Sequence, residues 1–362
     1  MTRQPSVLFT VHALARRRGT ELYTRDIAME FRRRSWPVAV YSPTLGEVAG
    51  ELVTAGVNVT DDLRSLREPP DIIHAQHHGP TLDALDAFPH TPAIMMCHGF
   101  RPWEEEPVLH PRVVAHLAVC DAARQRLAES GIPAADTTLV PNFVALDRFP
   151  RRDPLPPQPR RAMVFSNYAA PGSTYASSVQ SACEQRSIAV ELLGEGSGTV
   201  TPDPATLLGA ADVVFAQGRS ALEALACGAA VVVASSRGLG PMVTSANLAS
   251  LRGRNFGLHA LEAPMDADQV ARRLDAYDQS DATLVTDQVR SNADVGAVAT
   301  TLEAIYRRAM TGTRNGSPPL DQEALDHARQ YQLAPRTRPT YQELAEGWHQ
   351  RGPAAQSPSA RP

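Results

Sequence analysis

The stretch GRSALEALACG, residues 218–228, sets Gly218, Arg219 and Ser220 ahead of a short apolar helix that carries a single acid, Glu223. Glycine lets a backbone approach a ligand closely. The N–H groups opening a helix, joined by a guanidinium, make an anion site suited to a diphosphate. A carboxylate about one turn in can accept hydrogen bonds from a ribose diol, as acids do in dinucleotide sites. The same residues also read as a plain capping box, with Ser220 as N-cap and Glu223 as its acid. A capped helix start is still an anion site, so the two readings stand together. His98 closes the apolar run AIMMCH ahead of Gly99. At such a strand tip an imidazole can hydrogen-bond a sugar or a leaving phosphate, a satisfied structural histidine being the alternative. His74, His77 and His78 suggest a metal cluster, but across a strand end their spacing does not keep one face, and no acid stands beside them. The loop GEGSG (194–198) reads as a glycine turn, RRRG (16–19) as a basic face or an anion contact, and WEEEP (103–107) as an exposed acidic turn.

Composition narrows the chemistry further. All 35 basic residues are arginine, so a P-loop lysine and a pyridoxal Schiff base are both excluded, and any phosphate must be met by arginine, backbone N–H groups or hydroxyls. Cys97, Cys120, Cys183 and Cys227 lie far apart without a C-x-x-C pair, which predicts reduced, buried thiols and no zinc site. A net charge of -4 gives no reason to expect nucleic acid as a partner. No apolar run reaches membrane-span length and the first residues lack a signal-peptide order, so cytoplasmic residence is the expectation, with peripheral membrane contact left open.

The elements that must position these residues alternate from the start. SVLFTVH (6–12), VAVYS (38–42), DIIHA (71–75), AIMMCH (93–98) and HLAVC (116–120) read as buried strands. Helix-like TELYTRDIAMEFRRRS and DAARQRLAESG lie between them, the latter with Asp121 as N-cap and Gly131 as stop. A proline-rich basic stretch, PRRDPLPPQPRR (150–161), interrupts the rhythm and reads as a linker. It resumes with AMVFS (162–166), IAVELLG (188–194), DVVFA (212–216), AVVVA (230–234) and helix-like VGAVATTLEAIYRRAM (295–310). This alternation predicts an α/β chain of two doubly wound parallel-sheet domains.

The order of segments resembles the retaining glycosyltransferases of family 4. RRRGTELYTRDIAMEF is similar to the family's glycine loop and first helix, PDIIHAQHH to its strand ending in histidines, and MMCHG to the strand whose histidine faces the donor sugar. AVCDAARQRLAESGIPAADTTLVPNFVALDRF resembles the segment closing the first domain, and LLGEGSG with ADVVFAQGRSALEALACGAAVVV the donor-binding half. The resemblance runs over roughly residues 6–310. It implies the GT-B fold, two facing Rossmann-like domains with C-terminal helices crossing back to the first. The implied boundaries are 1–150 for the acceptor side, 151–310 for the nucleotide sugar, a helical extension over 311–350 and a disordered tail over 351–362. It implies hexosyl transfer from a nucleotide-diphosphate sugar to a hydroxyl on a saccharide, lipid-linked or small-molecule acceptor, with retention and no metal or other cofactor. His98, Arg219 and Glu223 would be catalytic. Ser166, Asn167, Gly194, Gly196, Gly218, Arg219, Ser220 and Glu223 would surround the donor, and Gly19, Thr20, His74 and His77 the acceptor side. Two features depart from the family pattern. Phe215 stands eight residues before Glu223, where most members have a first glutamate, and residues 166–178 hold no cation. They leave an inverting route with a histidine base open, and beside it a catalytically impaired sugar-nucleotide-binding partner subunit or a GT-B-like sugar-nucleotide epimerase.

Overall fold

The computed structural model describes residues 3–99 and 102–311, so the expected helical extension and tail lie outside it, Thr311 apart. Contacts divide the chain into two units, the first running to Pro141 and taken up again at Val295, the second formed by Asn142–Asp294.

Seven strands build the first unit: β1 (Val7–Thr10), β2 (Val38–Tyr41), β3 (Asn58–Thr60), β4 (Ile72–Gln76), β5 (Ala93–Cys97), β6 (Val113–Ala118) and β7 (Thr137–Leu139). All pair in parallel, in the order β3-β2-β1-β4-β5-β6-β7. Helices α1 (Gly19–Arg33), α2 (Glu47–Thr54), α3 (His78–Ala87) and α4 (Asp121–Glu129) connect them. Every residue of β4, β5 and β6 is buried, which is why they read as continuous apolar runs. The three-residue edge strands β3 and β7 are too short to show a pattern. The N-cap of α4 is Cys120 rather than Asp121, which is its first helical residue, while Gly131 does take the left-handed turn beyond its end. Because β2 and β3 lie on one side of β1 and β4 on the other, the order reverses between β1 and β4. Such a reversal opens a crevice at the carboxyl ends of the strands.

The second unit holds β8 (Arg161–Phe165), β9 (Ala189–Leu193), β10 (Val213–Ala216), β11 (Ala230–Ser235) and β12 (Gly238–Met242) in the order β12-β11-β10-β8-β9, with only β12 antiparallel. Its helices are α5 (Thr174–Glu184), α6 (Ala205–Ala210), α7 (Gly218–Cys227), α8 (Leu248–Gly253), α9 (Ala267–Leu274) and α10 (Gln279–Asn292). Period-two alternation sorts its strands between two cores. Val214, Ala216, Val231 and Val233 pack with Leu208, Leu222 and Leu225 on one face. Phe215, Val232 and Ala234 pack with Tyr175, Val179 and Val270 on the other. Here the strand order reverses between β8 and β10.

The proline-rich stretch is not a linker. It belongs to the second unit: Leu155 is buried in that unit's core, and the Asp212 carboxylate binds the Arg152 guanidinium at 2.8 Å and the Arg160 N–H at 2.8 Å. The chain returns to the first unit in α11 (Val295–Met310), which packs on α1. Tyr306 of α11 is fully buried and stacks on Phe31 at 5.2 Å. None of the described helices is long and apolar enough to cross a membrane.

Candidate functional site

In the first unit, His12 follows β1 and His77 follows β4, on either side of the reversal. His77 has φ 62°, uncommon for a residue bearing a side chain, and it is almost fully buried. The His12 N–H donates to its Nδ1 at 3.0 Å. The ring proton therefore sits on Nε2, which lies 3.6 Å from Glu105 Oε1. The other oxygen of Glu105 accepts the His98 N–H at 2.9 Å. One carboxylate thus ties the tips of β4 and β5 together. Glu104, Glu105 and Glu106 are only 5%, 1% and 7% exposed, which overturns the exposed acidic turn expected for WEEEP. Charge that deep needs partners. Glu105 has the two histidines, and Glu106 meets Arg126 at 2.8 Å.

His98 itself is half-buried, with its ring edge-on to Tyr23 at 4.5 Å and its Nε2 2.7 Å from Gln76 Oε1. Gln76, the last residue of β4, is fully buried and was not singled out from the sequence. Gly19 and Thr20 open α1 in the loop region after β1; Gly19 is exposed and Thr20 half-buried. Just beyond them the buried carboxylate of Glu21 accepts the Arg18 N–H at 2.9 Å, and burial pushes its pKa above the usual range despite that bond.

Burial removes His74 from the acceptor side. Its ring lies between Phe9 at 5.0 Å and Tyr306 at 5.8 Å, with Nδ1 bonded to the Tyr306 hydroxyl. Desolvation brings its pKa down to about 3, so it is a neutral core residue. His78 is buried as well, with Nδ1 donating to the Glu106 carbonyl at 3.2 Å. Among the described residues, no group of three or more His, Cys, Asp or Glu could hold a metal ion.

In the second unit, α7 starts at Gly218 with Gln217 as its N-cap. Ser220 is therefore the third helical residue and Glu223 the sixth, so the capping box read from the sequence is absent. Arg219 and Glu223 stand four residues apart on one helix face, and their side chains meet: Arg219 Nε donates to Glu223 Oε1 at 2.7 Å. Both are buried, and the guanidinium carbon sits 5.7 Å from the Phe143 ring centre. The two residues read as separate phosphate and ribose ligands are thus one ion pair. Gly218 has φ 59° and donates its N–H to the Phe256 carbonyl at 3.0 Å.

Around this helix start the other strand tips contribute polar groups. Ser166 and Asn167 follow β8, and the Asn167 side-chain oxygen accepts the Glu195 N–H at 3.1 Å. Gly194, at φ 139°, lies so close to this loop that a Cβ would fall 2.3 Å from the Ser166 carbonyl oxygen. A Cβ on Gly196 would sit 2.9 Å from the Asn167 carbonyl oxygen. These four residues weld the loops after β8 and β9. Gln217 Oε1 and, beyond β11, Ser236 Oγ are buried with no hydrogen-bond partner. Neither was singled out from the sequence. Phe215 is fully buried inside β10, so eight residues before Glu223 the chain is already in the core.

Comparison with known proteins follows the same outline. Residues 17–148 match the model of the family described as Glycosyltransferase Family 4. No curated protein matches the sequence. Among solved structures, the Alr3699/HepE protein of Anabaena in complex with UDP and glucose is 15% identical, with 84% of this chain and 100% of that one covered at a TM-score of 0.55. A glycosyltransferase from Rickettsia africae is 13% identical, with 86% and 100% covered at 0.58. Sucrose-phosphate synthase from Thermosynechococcus elongatus is 14% identical, with 86% and 100% covered at 0.57. The fold is GT-B, and residues 17–148 are similar to family 4.

Proposed function

We propose that the chain transfers a hexosyl group from a nucleoside-diphosphate sugar to an acceptor hydroxyl, with the donor held by the second unit. The observation that carries this reading is the start of α7 at the β8/β10 reversal. A helix N-terminus, a guanidinium and the buried, unbonded Gln217 Oε1 come together there. Helix N–H groups and the guanidinium fork both favour a diphosphate. The Nε of Arg219 is held by Glu223, which aims the guanidinium. The Anabaena protein was crystallised with UDP and glucose, which makes UDP-glucose the first donor to test.

In the reaction we propose, the bond between the anomeric carbon and the diphosphate oxygen breaks. The acceptor oxygen bonds that carbon on the same face, and its proton passes to the leaving phosphate. This route retains configuration and asks no nucleophile of the protein. Arg219 and the start of α7 supply the positive charge that a metal would otherwise bring. His98 contributes by hydrogen bonding.

A second reading, a donor-binding subunit without turnover, draws on Phe215 in the core and on the lack of a cation in residues 166–178. Melting with uridine, UDP and UDP-glucose, followed by donor hydrolysis, separates the two. A ligand at 100 times its dissociation constant stabilises by about 2.7 kcal/mol, so saturating UDP-glucose raises the melting temperature under either reading. Slow hydrolysis without acceptor supports the transferase. Binding with no turnover on any acceptor supports the subunit, and no shift with any nucleotide overturns both.

A further inference from the structure

The hydrogen bonds behind His98 run in one direction only. The Thr24 hydroxyl donates its single hydrogen to the Thr20 carbonyl, four residues back on α1, at 2.8 Å. It has only lone pairs left, so at 2.8 Å it accepts from the Gln76 amide nitrogen. That fixes the amide: its nitrogen faces Thr24 and its oxygen faces His98 Nε2 at 2.7 Å. An amide oxygen can only accept, so the hydrogen lies on Nε2. Gln76 and Thr24 are both fully buried, and with the amide turned over the Thr24 hydroxyl would have to leave the Thr20 carbonyl to reach Oε1. The backbone is held at the same point, because the His98 N–H donates to Glu105 Oε2 at 2.9 Å.

We infer that Gln76 is a positioning residue that holds His98 in the Nε2–H tautomer, so that any substrate group meeting Nδ1 of the neutral ring must be a hydrogen-bond donor. That selects a hydroxyl, of the sugar or of the acceptor, over an ionised phosphate oxygen. Of the two partners open to His98 in the sequence, a sugar or a leaving phosphate, the neutral Nε2–H ring fits the first. The inference rests on the proposed part of His98 in transfer, and it is tested so that the two can fail separately.

The tautomer is read by nitrogen NMR of the full chain labelled at histidine, the His98 signals being assigned by their loss in His98→Ala. The expected spectrum has Nε2 protonated and Nδ1 unprotonated. In Gln76→Leu the ring becomes a mixture of tautomers, while Gln76→Glu, which keeps an acceptor in place, restores Nε2–H and moves the ring's titration to higher pH. Turnover of Gln76→Leu falls about five- to tenfold, the worth of one hydrogen bond, with UDP affinity unchanged and with recovery in Gln76→Glu. A protonated Nδ1 in the parent overturns the inference, as does a Gln76→Leu spectrum identical to it. If the tautomer responds to Gln76 but neither Gln76→Leu nor His98→Ala alters turnover, the assigned tautomer stands and the catalytic reading of His98 falls.

Discussion

The strand tips of the two units hold their polar groups by different means. In the first unit the partners come from separate elements. Glu105 joins the backbone of His98 to the ring of His77, and Gln76 links His98 to α1 through Thr24. In the second unit the buried ion pair Arg219–Glu223 lies within a single helix, the loops meet through main chain at Gly194 and Gly196, and Gln217 Oε1 and Ser236 Oγ have no hydrogen-bond partner among the described residues. Buried polar groups rarely stay unsatisfied. The first region is tied together across several elements before any ligand arrives, whereas the start of α7 keeps the buried Gln217 Oε1 for a ligand to meet. Damage to the first should lower rate, and damage to the second should lower affinity.

The largest effect should follow from Glu105→Ala. It removes a buried charge-assisted acceptor, worth about 1.5–3 kcal/mol, and loosens two histidines at once. Turnover should fall about tenfold or more, with a lower melting temperature, and Glu105→Gln should recover part of both because it still accepts the His98 N–H. Equal losses in turnover and UDP affinity would erase the distinction between the two regions. A smaller effect is expected of Glu223→Gln. Read as a ribose ligand, Glu223 would serve uridine and UDP alike. Read as the partner that aims Arg219, it should weaken UDP by about threefold to tenfold, the worth of one ordinary hydrogen bond, and leave uridine unchanged in calorimetry.

The smallest effect concerns stability in mild acid. His74 is held near pKa 3 against its ordinary 6.5, and burial shifts His78 in the same direction. Below pH 6.5 the unfolded chain binds protons that the folded chain refuses. Stability is thus full above that pH and declines as pH falls toward 3. Urea melts at pH 7.5, 6 and 5 should show the decline before carboxylates titrate. His74→Gln should be less stable at pH 7.5 but show a shallower slope, and parallel slopes would count against a neutral buried imidazole.

The sequence showed one region better than the other, for physical reasons. Buried parallel strands and an amphipathic last helix follow from local patterns, so β1, β4, β5, β8, β10 and α11 were legible. The short edges β3 and β7 were not, and GLGPM of β12 carries glycines and a proline that do not resemble a strand. Arg219 and Glu223 were recognised, but placing the N-cap at Ser220 instead of Gln217 hid their i, i+4 pairing. Gln76 went unnoticed because its meaning depends on strand order: only when β4 lies beside β5 does it reach His98. WEEEP looked like a solvated turn because its histidine and arginine partners are distant in sequence.

The most direct test of the account is UDP and uridine binding to the parent, Arg219→Ala and His98→Ala, by calorimetry under one salt condition, with each variant's melting temperature as control. Loss of a charge-assisted contact worth roughly 1.5–3 kcal/mol predicts that Arg219→Ala weakens UDP about tenfold or more and leaves uridine unchanged. His98→Ala should bind both ligands as the parent does while losing turnover. If Arg219→Ala binds UDP as tightly as the parent, α7 is a packed core helix and the donor site lies elsewhere.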